Sequence, residues 1–117
     1  MPNDDFFLYL TTVGRKTGSP RHIEIWYVEH NGSYYMVAEH REETAWVKNI
    51  RANPVVTFSV GKGGSEEARL PLTQATARTV SPADEPELAA AVSKLMDEKY
   101  NWSDGLIVEL SPSKSPG

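Results

Sequence analysis

The stretch His22-Ile23-Glu24-Ile25-Trp26-Tyr27-Val28-Glu29-His30-Asn31-Gly32-Ser33-Tyr34-Tyr35-Met36-Val37-Ala38 decides the fold. From His22 to Glu29, the residues Ile23, Ile25 and Tyr27 alternate with His22, Glu24, Trp26 and Val28. That is the two-residue period of a strand. Asn31-Gly32 supplies the two positions at which a tight hairpin needs positive φ, and Tyr34 to Ala38 returns as the next strand. The pair is antiparallel and needs no helical crossover.

Working outward, Phe6 to Thr12 is an aromatic and β-branched run that reads as a strand. Glycines and a proline in Gly14-Arg15-Lys16-Thr17-Gly18-Ser19-Pro20 make a loop after it. On the other side, the charged Glu39-His40-Arg41-Glu42-Glu43 ends the third strand. Thr44 is placed to cap a short helix with Trp46, Val47 and Ile50 on its apolar side. Asn53-Pro54 closes that helix, because a residue before proline avoids the helical region. Val55 to Val60 reads as a strand, and Ala68 to Val80 as an extended segment that Pro71 places on an edge or at a bulge. Ser81 to Glu85 carries the caps, proline and acids of a second helix start, and Leu88, Val92, Leu95 and Met96 form its stripe. Leu106 to Leu110 is the last strand, and 111–117 a tail.

The expected architecture is a six-stranded, mainly antiparallel barrel with two helices, closed or split so that its strand edges are covered. The 117 residues fit one domain, 1–117, with its core between about 6 and 112. Twelve Lys+Arg against 16 Asp+Glu give a net charge of −4, which disfavours a dedicated nucleic-acid binder. With no cysteine, a disulfide scaffold, a thiolate nucleophile and a Cys-ligated metal are excluded. Mean hydropathy is −0.46, the apolar runs are too short to span a membrane, and the polar N-terminus lacks the pattern of a signal peptide. A cytoplasmic location is expected.

Three segments carry candidate chemistry. The loop Gly14 to Arg21 offers three cations, a hydroxyl and glycine-freed amides within eight residues. It suits a phosphate or a carboxylate-rich ligand, or is a solvated basic turn. In Trp46-Val47-Lys48-Asn49-Ile50-Arg51-Ala52-Asn53-Pro54, polar residues surround a short apolar stripe. Lys99-Tyr100-Asn101-Trp102 puts aromatic residues at a helix end, as packing or as a wall over a planar ligand. His22, His30 and His40 lack metal-ligand spacing, so no metal site is expected. No nucleophile elbow or paired acid and base stands out, and the catalytic residues stay unassigned. That pattern suits a protein whose cofactor supplies the chemistry.

Leu10-Thr11-Thr12-Val13-Gly14-Arg15-Lys16-Thr17-Gly18-Ser19-Pro20-Arg21, followed by Trp46 to Pro54, closely resembles the deazaflavin-dependent nitroreductase family, also called the nitroreductase/quinone reductase family. The likeness runs from about Leu10 to Pro112. It implies a split β-barrel like that of pyridoxamine phosphate oxidases and FMN-binding proteins. It also implies a coenzyme F420 site and hydride transfer to small electron-poor acceptors such as quinones or nitroaromatics. By motif, Arg15, Lys16, Thr17 and Arg21 would hold the cofactor's phosphate and acidic tail. Ala38 and Glu39 would approach the ring system, and Trp46, Lys48, Asn49, Asn53 and Pro54 would build the opposite side of the cleft. The acidic Glu39 to Glu43 loop departs from the family, where this loop is often small, Gly-rich or basic, and would repel an anionic cofactor unless Arg41 or another cation neutralises it. FMN-dependent reduction or oxidation on the same barrel, and non-catalytic binding of a flavin or tetrapyrrole, are the alternatives. Exposed strand edges and three tryptophans lead us to expect a homodimer.

Overall fold

The structure is a computed structural model that describes residues 6–14, 18–62 and 73–112. Seven strands form one antiparallel sheet: β1 (Phe6–Val13), β2 (Pro20–Ile25), β3 (Val28–His30), β4 (Ser33–Ala38), β5 (Val55–Lys62), β6 (Thr73–Val80) and β7 (Leu106–Pro112). Helix α1 (Ala45–Ala52) lies between β4 and β5, and α2 (Pro86–Tyr100) between β6 and β7. The strand order is β2-β1-β5-β6-β7-β4-β3. The two edge strands are therefore consecutive in the chain, separated only by Trp26 and Tyr27. Such a sheet has to curl until its edges meet, which makes a barrel split along the β2/β3 seam.

The expected six strands become seven because the run from His22 to Glu29 is broken. Its first part pairs with β1, Leu10 opposite Ile23 and Leu8 opposite Ile25, while Val28 pairs with Tyr35 of β4. One straight strand cannot serve two distant partners, so the chain turns at Trp26-Tyr27. The hairpin after it is as expected: Asn31 and Gly32 have φ of 51° and 82°, both in the left-handed region.

Alternation along the strands divides the interior in two. Leu8, Leu10, Met36, Val56, Phe58, Val108 and Leu110 fill the barrel with Trp46, Val47 and Ile50 of α1. Leu8, Leu10, Met36 and Leu110 have no exposed surface, and each stabilises the fold by about 1.5–3 kcal/mol. On the outer face, Tyr35, Val37 and Ile107 pack with Val28 and Val80 against Ala89, Val92 and Met96 of α2.

Both helix starts differ from expectation. α1 begins after Thr44, but the threonine side chain makes no capping bond. α2 begins at Pro86, whose missing N–H costs nothing in a first turn. Ser81 instead closes a turn, its carbonyl accepting from the N–H groups of Asp84 and Glu85. α2 ends at Asn101 in the left-handed conformation, φ 57° and ψ 37°. Of the extended segment expected from Ala68, Thr73 to Val80 is β6, and its earlier residues, Pro71 included, lie outside the described residues.

An ion network around the buried Glu109 fastens β7 to its surroundings. Arg78 Nε donates to Glu109 Oε1 at 2.8 Å and its NH1 to Glu85 Oε2 at 2.7 Å, while Tyr35 Oη donates to Glu109 Oε2 at 2.6 Å. Burial pushes the Glu109 carboxyl up. Hydrogen bonds from Arg78, Tyr35 and Ser111, with the charge of Arg78, outweigh that and hold it below its ordinary value. Burial and the bond to Glu109 push the Tyr35 phenol up to about 12.

Candidate active-site cleft

The cleft lies at the seam. Ile25 and Trp26 from the end of β2, Val37 and Ala38 from the end of β4, and Trp46 from α1 supply its apolar walls. Trp102, just past α2, adds an aromatic wall, and Glu39, His40 and Thr44 are its polar lining. The volume is about 530 Å³, within the range of small-molecule sites. A second lobe of about 220 Å³, lined by Phe7 and Glu24 together with Ile25, Trp26, Val37 and Trp102, continues from it.

Local chemistry builds each wall. Trp26 stacks on Tyr100 with ring centroids 4.4 Å apart and planes 2° from parallel, and meets Trp102 edge-on at 6.3 Å. Even so, Trp26 is 41% exposed. Ala38 is reached by Gly105: a β-carbon there would lie 2.4 Å from the Ala38 carbonyl oxygen and 2.6 Å from Val37 Cγ1. Only glycine allows β7 to start this close to the cleft wall. Trp46 is buried because α1 turns its apolar side into the barrel.

Three residues expected at the site, Ala38, Glu39 and Trp46, line this cleft. The others from the second motif are placed elsewhere. Asn49 is buried and donates from Nδ2 to Thr12 Oγ1 at 3.2 Å, tying α1 to β1. Lys48 lies 3.6 Å from Glu43. The Asn53 side chain accepts from the Val55 N–H at 3.3 Å, and the Pro54 carbonyl from the Ala77 N–H at 2.8 Å. Arg21 is exposed on β2, opposite Thr12. Arg15, Lys16 and Thr17 lie outside the described residues. Arg41 pairs with Asp104, its guanidinium 3.1 Å from that carboxylate. Ile25, Trp26, His40 and Thr44 line the cleft without any signal in the linear motifs, because the sheet's curl alone brings their segments together.

The architecture is a split β-barrel with an apolar, tryptophan-walled cleft at its seam, a fold shared with the solved structures of low identity to this chain. The chain belongs to the F420H(2)-dependent quinone reductase family, whose profile matches residues 2–104. It is accordingly an oxidoreductase, with coenzyme F420 as its cofactor. Among solved structures, it is similar to an F420-H2 dependent reductase at 26% identity and a TM-score of 0.62, covering 89% of this chain and 92% of that one. It is also similar to HutZ, the heme storage protein of Vibrio cholerae, at 21% identity and a TM-score of 0.71, covering 93% and 82%. An F420 reductase matches at 16% identity and a TM-score of 0.60, covering 94% and 88%. The last two likenesses are of fold alone. No curated protein matches the chain.

The residues present fit the cofactor's ring system. The cleft is large enough for a planar heterocycle, its walls are apolar and aromatic, and Thr44 Oγ1 is a shielded hydroxyl that makes no hydrogen bond. Among the described residues, no helix is long and apolar enough to cross a membrane.

Proposed function

We propose that the chain reduces small, neutral, electron-poor acceptors, quinones or nitroaromatics, in the cleft at the barrel seam. The observation that carries this reading is the cleft itself: about 530 Å³, walled by Trp46, Trp102, Ile25 and Ala38, in a chain of this family. When bound, the cofactor supplies a hydride. The chain's own residues hold the ring, exclude water and set the charge at the mouth.

β2 supports an orientation for the elongated cofactor. Arg21, Ile23 and Ile25 share one strand face. Ile25 lines the cleft, and Arg21 lies roughly 13 Å farther along at about 3.3 Å per residue. Arg15, Lys16 and Thr17 precede β2 in the sequence, outside the described residues. In this reading the ring sits at Ile25 and Ala38, and the phosphate and acidic tail run along β2 toward Arg21. Asn49, through Thr12, and the α1 end at Asn53 and Pro54 support that path rather than touch the ring.

The acceptor's charge follows from the mouth. Glu39 is exposed at the lining, Arg41 is engaged by Asp104, and Lys48 faces Glu43. A carboxylated acceptor would be repelled. The test is oxidation of reduced F420 by purified protein with a neutral quinone, the same quinone bearing a carboxylate, and a nitroaromatic, beside an FMN titration. Turnover with the neutral compounds and weaker turnover with the anion are expected. Tight binding of FMN without binding of F420 would refute the reading.

A further inference from the structure

Thr44 has the backbone of a helix cap and does not cap. It precedes α1 with φ −66° and ψ 131°, the extended conformation from which a threonine oxygen ordinarily accepts a first-turn N–H. No such bond forms, and Oγ1 is shielded from solvent with no hydrogen-bond partner. Burying a hydroxyl in this state is unfavourable, since its bonds to water are lost without replacement. Ser59 Oγ is also unpartnered, but Ser59 is on β5, away from the residues that line the cleft. Thr44 lines the cleft.

The surroundings narrow what the hydroxyl is for. Trp46, Val37, Ala38, Ile25 and Trp102 offer the ring faces of a ligand nothing but apolar contact. A planar heterocycle entering the cleft would leave its carbonyl and N–H edge in need of a partner. A hydroxyl serves either kind of edge atom, because it donates and accepts. The Thr44 side chain is half-buried, and a 120° step about χ1 carries the shielded hydroxyl to another staggered position, one of the two that threonine commonly adopts.

We propose that Thr44 is a ligand-binding residue: its hydroxyl is withheld from the helix cap and hydrogen-bonds the carbonyl or N–H edge of the bound deazaflavin ring. This rests on the placement of the ring in the cleft given above. It assigns the residue that fixes how the ring is turned once the apolar walls have sandwiched it.

The experiment pairs two substitutions with two readouts. Thr44→Val removes the hydroxyl and keeps the shape, and Thr44→Ser keeps the hydroxyl. Each variant is titrated with coenzyme F420, followed by the coenzyme's fluorescence, and each is unfolded thermally without ligand. For Thr44→Val the expected result is about three- to tenfold weaker binding, the range one hydrogen bond supports, with a ligand-free Tm unchanged or raised. Thr44→Ser should bind within about twofold of the parent, because its hydroxyl makes the same bond. Parent-like affinity of Thr44→Val overturns the assignment. So does a ligand-free Tm that falls with Val but not with Ser, which would make the hydroxyl a helix cap. If the parent protein itself binds no F420, the placement of the ring falls, and this assignment with it.

Discussion

Tyr100 closes the barrel seam through Tyr27. Its hydroxyl accepts from the Tyr27 N–H at 3.2 Å and donates to the Tyr27 carbonyl at 2.9 Å, where Lys99 Nζ also donates at 3.0 Å. Tyr27 lies between the two edge strands, β2 and β3. One phenol from the end of α2 bonds both peptide groups of Tyr27, and its ring carries Trp26 of the cleft wall.

Tyr100→Phe is therefore expected to destabilise the protein by about 1–2 kcal/mol, by removing the two hydrogen bonds between this hydroxyl and the Tyr27 peptide groups. The Tm should fall by roughly 4–8 °C per kcal/mol for a domain this size. The Trp26 stack survives in this variant, so cleft binding should change less than stability. A Tm equal to that of the parent would show that the seam does not depend on this hydroxyl.

Acid should weaken the fold through Glu109. Its folded pKa lies below the ordinary carboxylate value of 4.5, so the unfolded chain binds more protons in acid. The stabilisation is complete above about pH 5 and is lost as pH falls through the lowered folded value. Urea midpoints measured from pH 7 downward should show this decline, and Glu109→Gln should flatten it. Arg78→Met leaves a carboxylate only 8% exposed without its cation. A cost of about 2 kcal/mol at pH 7 is expected, reduced from the fully buried case because Arg78 is half in water.

Replacing Arg15 and Lys16 together by alanine should weaken F420 binding by about 1.5–3 kcal/mol for each charge-assisted hydrogen bond lost. Stability without cofactor should barely move if these charges serve the ligand and not the fold. Titration of the double variant decides the point, and unchanged affinity would return the loop to ordinary surface.

Glu39 lines the cleft, so Glu39→Gln should tighten binding of the multiply charged deazaflavin more than that of riboflavin. The difference should shrink as salt is raised. Equal responses of the two ligands would place this carboxylate too far from the anionic groups to matter.

The assembly is predicted to be a homodimer. Trp26 at 41% and Val55 at 47% exposure leave large apolar side chains in water on the described surface. Light scattering at micromolar concentration should give a mass near twice 13.0 kDa. A concentration-independent mass of 13.0 kDa would count against pairing and leave Trp26 as cleft lining in a monomer.

The sequence by itself determined the local elements, because their signals are short-range. Asn31-Gly32 requires a hairpin by backbone sterics, Asn53-Pro54 stops α1 by the clash before proline, and alternation sorts Ile23 and Ile25 inward. The paired motifs around Arg15 and Trp46 carried the family. What only the tertiary structure decided is long-range. The break at Trp26-Tyr27 is invisible in an unbroken alternating run, since it arises when two halves of one strand pair with β1 and β4. Thr44 reads as a cap in the sequence, yet its hydroxyl is left unbonded beside a cleft. Asn49 and Glu109 are polar residues that no linear signal marks as interior, and both are buried where Thr12, Arg78 and Tyr35 arrive from distant strands to bond them. A cleft made of β2, β4, α1 and the end of α2 exists only after the sheet has curled, so no linear spacing records it.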